Sequence, residues 1–170
     1  MAGNVAAYPG SFDPFTLGHM DILQRASKLF ETVYVVVAHN ANKSHLFSGD
    51  QRLEIVERSV THLRDHYRMP EEADIRVRLH TGITSDFLDE HNVDVVIRGI
   101  RNATDLDHEI KLEQYLRRTS TAETVYLTPR TRNLNTSSTL VRMFLQTGKF
   151  EEAGRYMSTE AQKYIVDTLT

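Results

Sequence analysis

Apolar positions along the chain switch between two periods. Thr32–His39, TVYVVVAH, is a nearly unbroken run of β-branched and aromatic residues, the pattern of a strand covered on both faces. Val93–Gly99, VDVVIRG, is a second such run, and Asn4–Pro9, NVAAYP, and Glu123–Pro129, ETVYLTP, read as two more strands. Asp74–His80, DIRVRLH, alternates, which puts it nearer a sheet edge. Between these runs the spacing is helical. Met20, Leu23, Ala26 and Phe30 follow Gly18, and Leu53, Val56, Val60 and Leu63 follow Gln51. Leu112, Tyr115 and Leu116 mark a helix after Thr104, and Leu140, Phe144 and Leu145 mark one after Thr136. A last amphipathic helix begins at Thr159. Ser48, followed three residues later by Gln51, predicts a capping box.

Strands alternating with helices predict an α/β fold. The expectation is a single Rossmann-like domain over residues 1–170, with about five parallel strands, helices on both faces and right-handed crossovers. A chain of this length supports one proper core, and two would be cramped. Sheets of this kind bind ligands beyond the carboxyl ends of their strands. Functional groups should therefore follow strands, and they do. PGSFDPFTLGH, with Ser11 and His19, follows the first; NANKSH, with Lys43, the second; RGIR, with Arg98 and Arg101, the fourth; PRTRNLNTSST, with Arg130, Arg132, Ser137, Ser138 and Thr139, the fifth. These segments bring cations, hydroxyls and helix N-termini to one rim, the groups that recognise phosphate.

Taken singly, each has an ordinary reading. Pro9, Gly10, Asp13 and Pro14 make a turn; His19, on a face with Ile22 and Ala26, is a hydrogen-bonded structural histidine; Lys43 is a solvated loop lysine; NTSST is a helix cap. Arg98 is harder to dismiss, because a charge directly after an apolar strand is costly unless paired or at a site.

Composition narrows the chemistry. The chain has no cysteine, which excludes disulfides, thiolate metal sites and a cysteine nucleophile. A net charge of −3 provides no basic field for nucleic acid, so an anionic ligand must be drawn by local clusters. The N-terminus lacks the basic and apolar regions of a signal peptide, and no apolar run approaches the roughly 20 residues needed to span a bilayer. The expected location is the cytoplasm, with no membrane partner. No G-x-x-x-x-G-K-[ST] loop, no G-x-G-x-x-G after the first strand and no nucleophile elbow occurs. His62 and His66 have metal-ligand spacing on a helix, but no Glu follows His62 and no third ligand is evident in sequence, so the pair reads as a solvated face.

The T-L-G-H of residues 16–19 resembles the (H/T)-x-G-H motif of the nucleotidyltransferase superfamily. YPGSFDPFTLGHMDIL, NKSHLFSGDQR, IRGIRNATDLDHEI and TSSTLVR, in that order, resemble the phosphopantetheine adenylyltransferase family over nearly the whole chain. That resemblance implies transfer of AMP from ATP to 4′-phosphopantetheine, giving dephospho-CoA and pyrophosphate, by direct in-line attack without a covalent intermediate. It implies catalytic roles for His19, Lys43 and Arg101. Ser11, Lys43, Arg98 and Thr84 should serve the phosphopantetheine side, and Ser11, Phe12, His19, Arg101, Glu109, Ser137, Ser138 and Thr139 the ATP. Ser137, Ser138 and Thr139 should cap a helix whose N-terminus holds the β- and γ-phosphates, and backbone near Pro9, Gly10 and Tyr126–Pro129 should frame the adenine. It further implies Mg²⁺ held mainly by ATP phosphates, a homohexamer, and feedback by coenzyme A. The chain departs from the family pattern in carrying Ser11 where Thr is common, a single Lys in NANKSH, and Thr84 and Ser85 in a stretch that is usually more apolar. Nucleotidyltransferases acting on nicotinamide mononucleotide or glycerol 3-phosphate share such a site, and a non-catalytic nucleotide-binding regulator could share the fold. The RGIRNATDLDHEI block argues against the first, and intact His19, Lys43 and Arg101 against the second.

Overall fold

The structure, a computed structural model, describes residues 4–39 and 44–170. Five strands, β1 (Val5–Gly10), β2 (Thr32–His39), β3 (Asp74–Thr81), β4 (Val95–Gly99) and β5 (Glu123–Leu127), form one sheet in the order β3-β2-β1-β4-β5. Every pairing is parallel. The sheet is the one the apolar runs imply, with strand ends within about two residues of expectation, and the alternating run is the edge strand β3.

Helices cover both faces: α1 (Leu17–Ala26), α2 (Gly49–His66), α3 (Thr84–Glu90), α4 (Ala103–Leu116), α5 (Ser138–Gln146), α6 (Phe150–Gly154) and α7 (Thr159–Leu169). The pleat sorts β2 between two cores. Val33, Val35 and Val37 pack with Phe15, Ile22, Leu23, Ile55, Val56 and Ile165, while Tyr34 and Val36 pack with Phe87, Leu88, Val96 and Leu116. That two-sided burial is why the strand reads as an unbroken apolar run. The capping box at α2 is present in both directions: Gln51 N donates to Ser48 Oγ at 3.2 Å and Ser48 N to Gln51 Oε1 at 2.8 Å. Two short helices, α3 and α6, escape the sequence pattern, since five to seven residues hold too little periodicity to show. Among the described residues no helix is long and apolar enough to cross a membrane.

Of the histidine pair on α2, His66 is exposed as expected and His62 is not. His62 is largely covered, stacks on His66 with ring centroids 4.3 Å apart, and pairs through Nδ1 with Glu160 of α7. Burial opposes the charge on Glu160, but its own backbone N–H and His62 outweigh that and hold its carboxyl below the ordinary range. α7 packs over the His62 end of the face, and it lies about a hundred residues away in sequence, beyond any local pattern. Even with Glu160 added, no metal-binding group of three acids or histidines forms among the described residues. We expect His62→Ala to leave turnover unchanged and to lower stability by about 1 kcal/mol, a fall in Tm of about 2–4 °C, checked by thermal unfolding.

Candidate active site

The chain leaves β1 toward β2 and leaves β4 toward β5, so the sheet order reverses between the adjacent strands β1 and β4. The crevice beyond their carboxyl ends is where a doubly wound sheet takes its ligand. Ser11–Thr16 border it from one side and Ile100–Asn102 from the other.

The first of these loops is held at three carbonyls by two helices. Arg52 of α2 donates to Ser11 O at 2.6 Å, Arg142 of α5 to Asp13 O at 2.7 Å, and Ser138 Oγ to Pro14 O at 2.8 Å. The buried carboxylate of Asp13 accepts from Leu46 N at 2.9 Å and Phe47 N at 3.0 Å, with His45 and Arg142 at 3.7 and 3.9 Å. Asp13 is therefore a tie between two loops, where its sequence context reads as a turn. Phe12 sits at φ 47°, a left-handed conformation that a bulky residue adopts only when its surroundings hold it there. Gly10 makes that possible, since a Cβ there would lie 2.7 Å from the Phe12 ring.

His19 stands at the third position of α1, inside a capping box with Thr16. Its Nδ1 accepts from Thr16 N at 3.0 Å and lies 3.1 Å from Thr16 Oγ1. A nitrogen that accepts a backbone N–H carries no proton, so the neutral ring has its hydrogen on Nε2. The rings of Phe12 and Phe15 lie with centroids 5.2 Å away, and Tyr8 at 6.4 Å. Burial among these rings, with Arg101 adding to it, lowers the His19 pKa from 6.5 to about 4. The group is thus a neutral Nε2–H donor at a helix N-terminus. Because its folded pKa is depressed, the unfolded chain binds the extra proton first as pH falls. Its contribution to stability is full above pH 6.5 and fades toward pH 4. We expect His19 alone to cost about 2 kcal/mol between pH 7 and pH 5, a loss absent in His19→Gln when urea unfolding is compared at the two values.

The cations at the end of β4 and in the loop after it are already engaged. Arg98 Nε lies 3.3 Å from Glu109 Oε2, half-buried across α4. Arg101 donates from Nε and Nη2 to Asp105 at 2.9 and 3.3 Å, and from Nη1 to Thr136 O at 3.3 Å. That last bond draws the lead-in of α5 to the crevice. Burial pushes the Tyr8 hydroxyl well above its ordinary pKa, with Arg98 pulling the other way. Tyr8 therefore stays a neutral phenol beside Gly99.

The remaining candidates divide. Ser137 is the N-cap of α5, accepting from Leu140 N at 3.1 Å. Ser138 does not cap; its hydroxyl is spent on Pro14 O. Thr139 accepts from Arg142 at 3.3 Å and does not cap either. The joint cap read from the sequence is thus a single-residue cap, because only the residue before the first helical turn can reach the N-terminal amides. Thr84 opens α3 beyond β3, two strands from β1 on the same rim. Lys43 lies outside the described residues. Arg130 turns away toward α1, where its N donates to the buried Asp21 at 2.8 Å. Arg52, Arg142 and Asp105 were missed as site-shaping residues.

A doubly wound parallel sheet with this loop chemistry defines a nucleotidyltransferase class of protein, and residues 7–144 match the family model described as cytidylyltransferase-like. A phosphopantetheine adenylyltransferase of Bordetella petrii is 34% identical over 166 residues, 94% of this chain and 92% of that one. One from Psychromonas ingrahamii is 40% identical over 136 residues, 79% of each. On these matches the chain belongs to the phosphopantetheine adenylyltransferases of the cytidylyltransferase-like family. A solved structure of Plasmodium falciparum nicotinic acid mononucleotide adenylyltransferase with NaAD has the same fold, with a TM-score of 0.67, 17% identity and coverage of 98% of this chain and 96% of that one.

Proposed function

We infer that the chain transfers AMP from ATP to 4′-phosphopantetheine, giving dephospho-CoA and pyrophosphate in the penultimate step of coenzyme A synthesis. The observation that carries this is the gathering of Ser11, His19, Arg98 and Arg101 at the reversal between β1 and β4 in a chain with these relatives. An oxygen of the acceptor phosphate attacks the α-phosphorus in line. The bond from that phosphorus to the bridging oxygen breaks, and its electron pair leaves with pyrophosphate. The acceptor arrives as an anion, so neither a protein nucleophile nor a strong base is needed. The protein aligns two polyanions and spreads the charge that develops.

His19 donates its Nε2–H to the α-phosphate, and Ser11 holds the acceptor phosphate beside it. Arg101 exchanges Asp105 for nucleotide phosphate, Arg98 serves the phosphopantetheine side, and Glu109 borders the nucleotide. Phe12, Ser137, Ser138 and Thr139 border the triphosphate, with Ser137 as the cap; Thr84 lines the pantetheine arm and Lys43 neutralises the transferring group. A Mg²⁺ ion would be held mainly by the triphosphate oxygens. When bound, that ion neutralises phosphate charge. The assembly is a homohexamer, helped by α4, which buries only Leu116 and leaves Ile110, Leu112 and Tyr115 at the surface. The reaction is cytoplasmic and subject to feedback by coenzyme A.

The test is pyrophosphate release with ATP and Mg²⁺, offering 4′-phosphopantetheine, nicotinamide mononucleotide and glycerol 3-phosphate in parallel. Release with 4′-phosphopantetheine alone is expected. Release with another acceptor instead overturns the acceptor, and silence from folded protein that binds ATP points to a non-catalytic regulator.

A further inference from the structure

We propose that Arg52 is a positioning residue for this transfer, fixing the Ser11–Phe12 peptide so that the Phe12 N–H faces the incoming phosphate. The inference rests on the adenylyl-transfer reading. Arg52 is wholly buried, with a relative exposure of 0%. Nη1 donates to Ser11 O at 2.6 Å and to Ala38 O at 2.9 Å, and Nη2 lies 3.1 Å from His39 Nδ1. One guanidinium thus grips the exits of β1 and β2 together. Nη1 serves both carbonyls while Nη2 reaches His39, so a lysine ammonium, with one nitrogen on a shorter stem, could not keep all three contacts.

Peptide planarity supplies the next step. The C=O and N–H of a trans peptide point in opposite directions. Drawing Ser11 O onto the buried guanidinium turns the Phe12 N–H away from it, and that N–H has no acceptor among the described residues. The positive φ of Phe12 belongs to the same peptide and needs an outside hold to persist.

The energetics favour a functional role over a purely structural one. Arg52 forms no ion pair within 4.0 Å among the described residues, and its Nε lacks a hydrogen-bond partner. Burial lowers its pKa, with Asp13 acting in the opposite direction. Burying a charge this way is costly, and apolar side chains of similar volume often stabilise a fold as well or better. An anion one peptide away offsets that cost.

R52K keeps the charge but loses the fork, and R52Q loses both. Three quantities decide: pyrophosphate release per folded molecule, the Kd for ATP by calorimetry, and Tm. We expect kcat to fall at least about tenfold in R52Q and partly recover in R52K, as sub-ångström misplacement should cause. We expect ATP binding to weaken about fivefold in R52Q, the loss of one phosphate contact, with Tm held within a few degrees. If R52Q does not fold, R52K decides. Wild-type kcat and ATP affinity in the folded variants overturn the proposal, as do losses that merely track the folded fraction. A wild-type protein that releases no pyrophosphate with any acceptor sinks the transferase reading instead. The ATP affinities then still decide for or against Arg52.

Discussion

His19→Ala lowers kcat by at least about a hundredfold and changes KM little, the expected result for a donor whose bond strengthens as charge develops at phosphorus. The surroundings of the ring suit the proposed donation. Thr16 N occupies Nδ1, so the proton sits on Nε2. The rings of Phe12 and Phe15 fix the plane, and α1 supplies the positive end of its dipole. A pKa near 4 keeps the group neutral through the working range. In the proposed transfer His19 is therefore a hydrogen-bond donor, and kcat/KM should show no inflection near pH 6.5 that disappears in His19→Ala. Turnover near wild type in the variant would remove His19 from the mechanism. An inflection near 6.5 that vanishes with it would overturn the neutral assignment.

Much of this site is legible in sequence because the fold makes it so. Groups at the carboxyl ends of strands in a parallel sheet converge whatever the details: Ser11 and Arg101 follow β1 and β4, Arg98 is in the last residues of β4, and His19 opens the helix after β1. What stays hidden is the support beneath them. Arg52 lies three and four residues before Ile55 and Val56, at the inward position of α2 that the apolar pattern assigns to Leu53. Leu53 is only half-buried, and the helix is rotated so that an arginine and Ser59 join Ile55, Val56, Val60 and Leu63 in the buried stripe. An apolar count cannot see this, because it scores arginine as an outward residue. The signal available was the period itself, which carries Arg52 inward once Ile55 and Val56 are taken together. The His62–Glu160 pair was hidden for a different reason, the arrival of α7 from a distant part of the chain.

Asp13 shows the same logic at its most costly, and Asp13→Ala is expected to lose about 3 kcal/mol of stability, with a Tm about 6–12 °C lower. Each carboxylate oxygen takes one backbone N–H, Oδ2 from Leu46 and Oδ1 from Phe47. Phe47 is buried at 1% exposure, so water cannot replace the lost acceptor at its amide. Arg142 keeps its bond to Asp13 O in the variant, because that bond is to the backbone. The loss therefore measures the carboxylate alone. Asp13→Asn should fare little better despite its matching shape. Its amide can offer one oxygen, and the NH₂ must then face the second backbone N–H, donor against donor. A carboxylate serving merely as a turn residue would behave otherwise: asparagine would substitute freely, and the alanine variant would cost well under 1 kcal/mol. Urea unfolding of the three proteins separates these cases. Midpoints well below wild type for both variants, with m unchanged, mark a tie between the loops after β1 and β2. An asparagine midpoint equal to wild type would return Asp13 to the role its Gly- and Pro-rich context suggests.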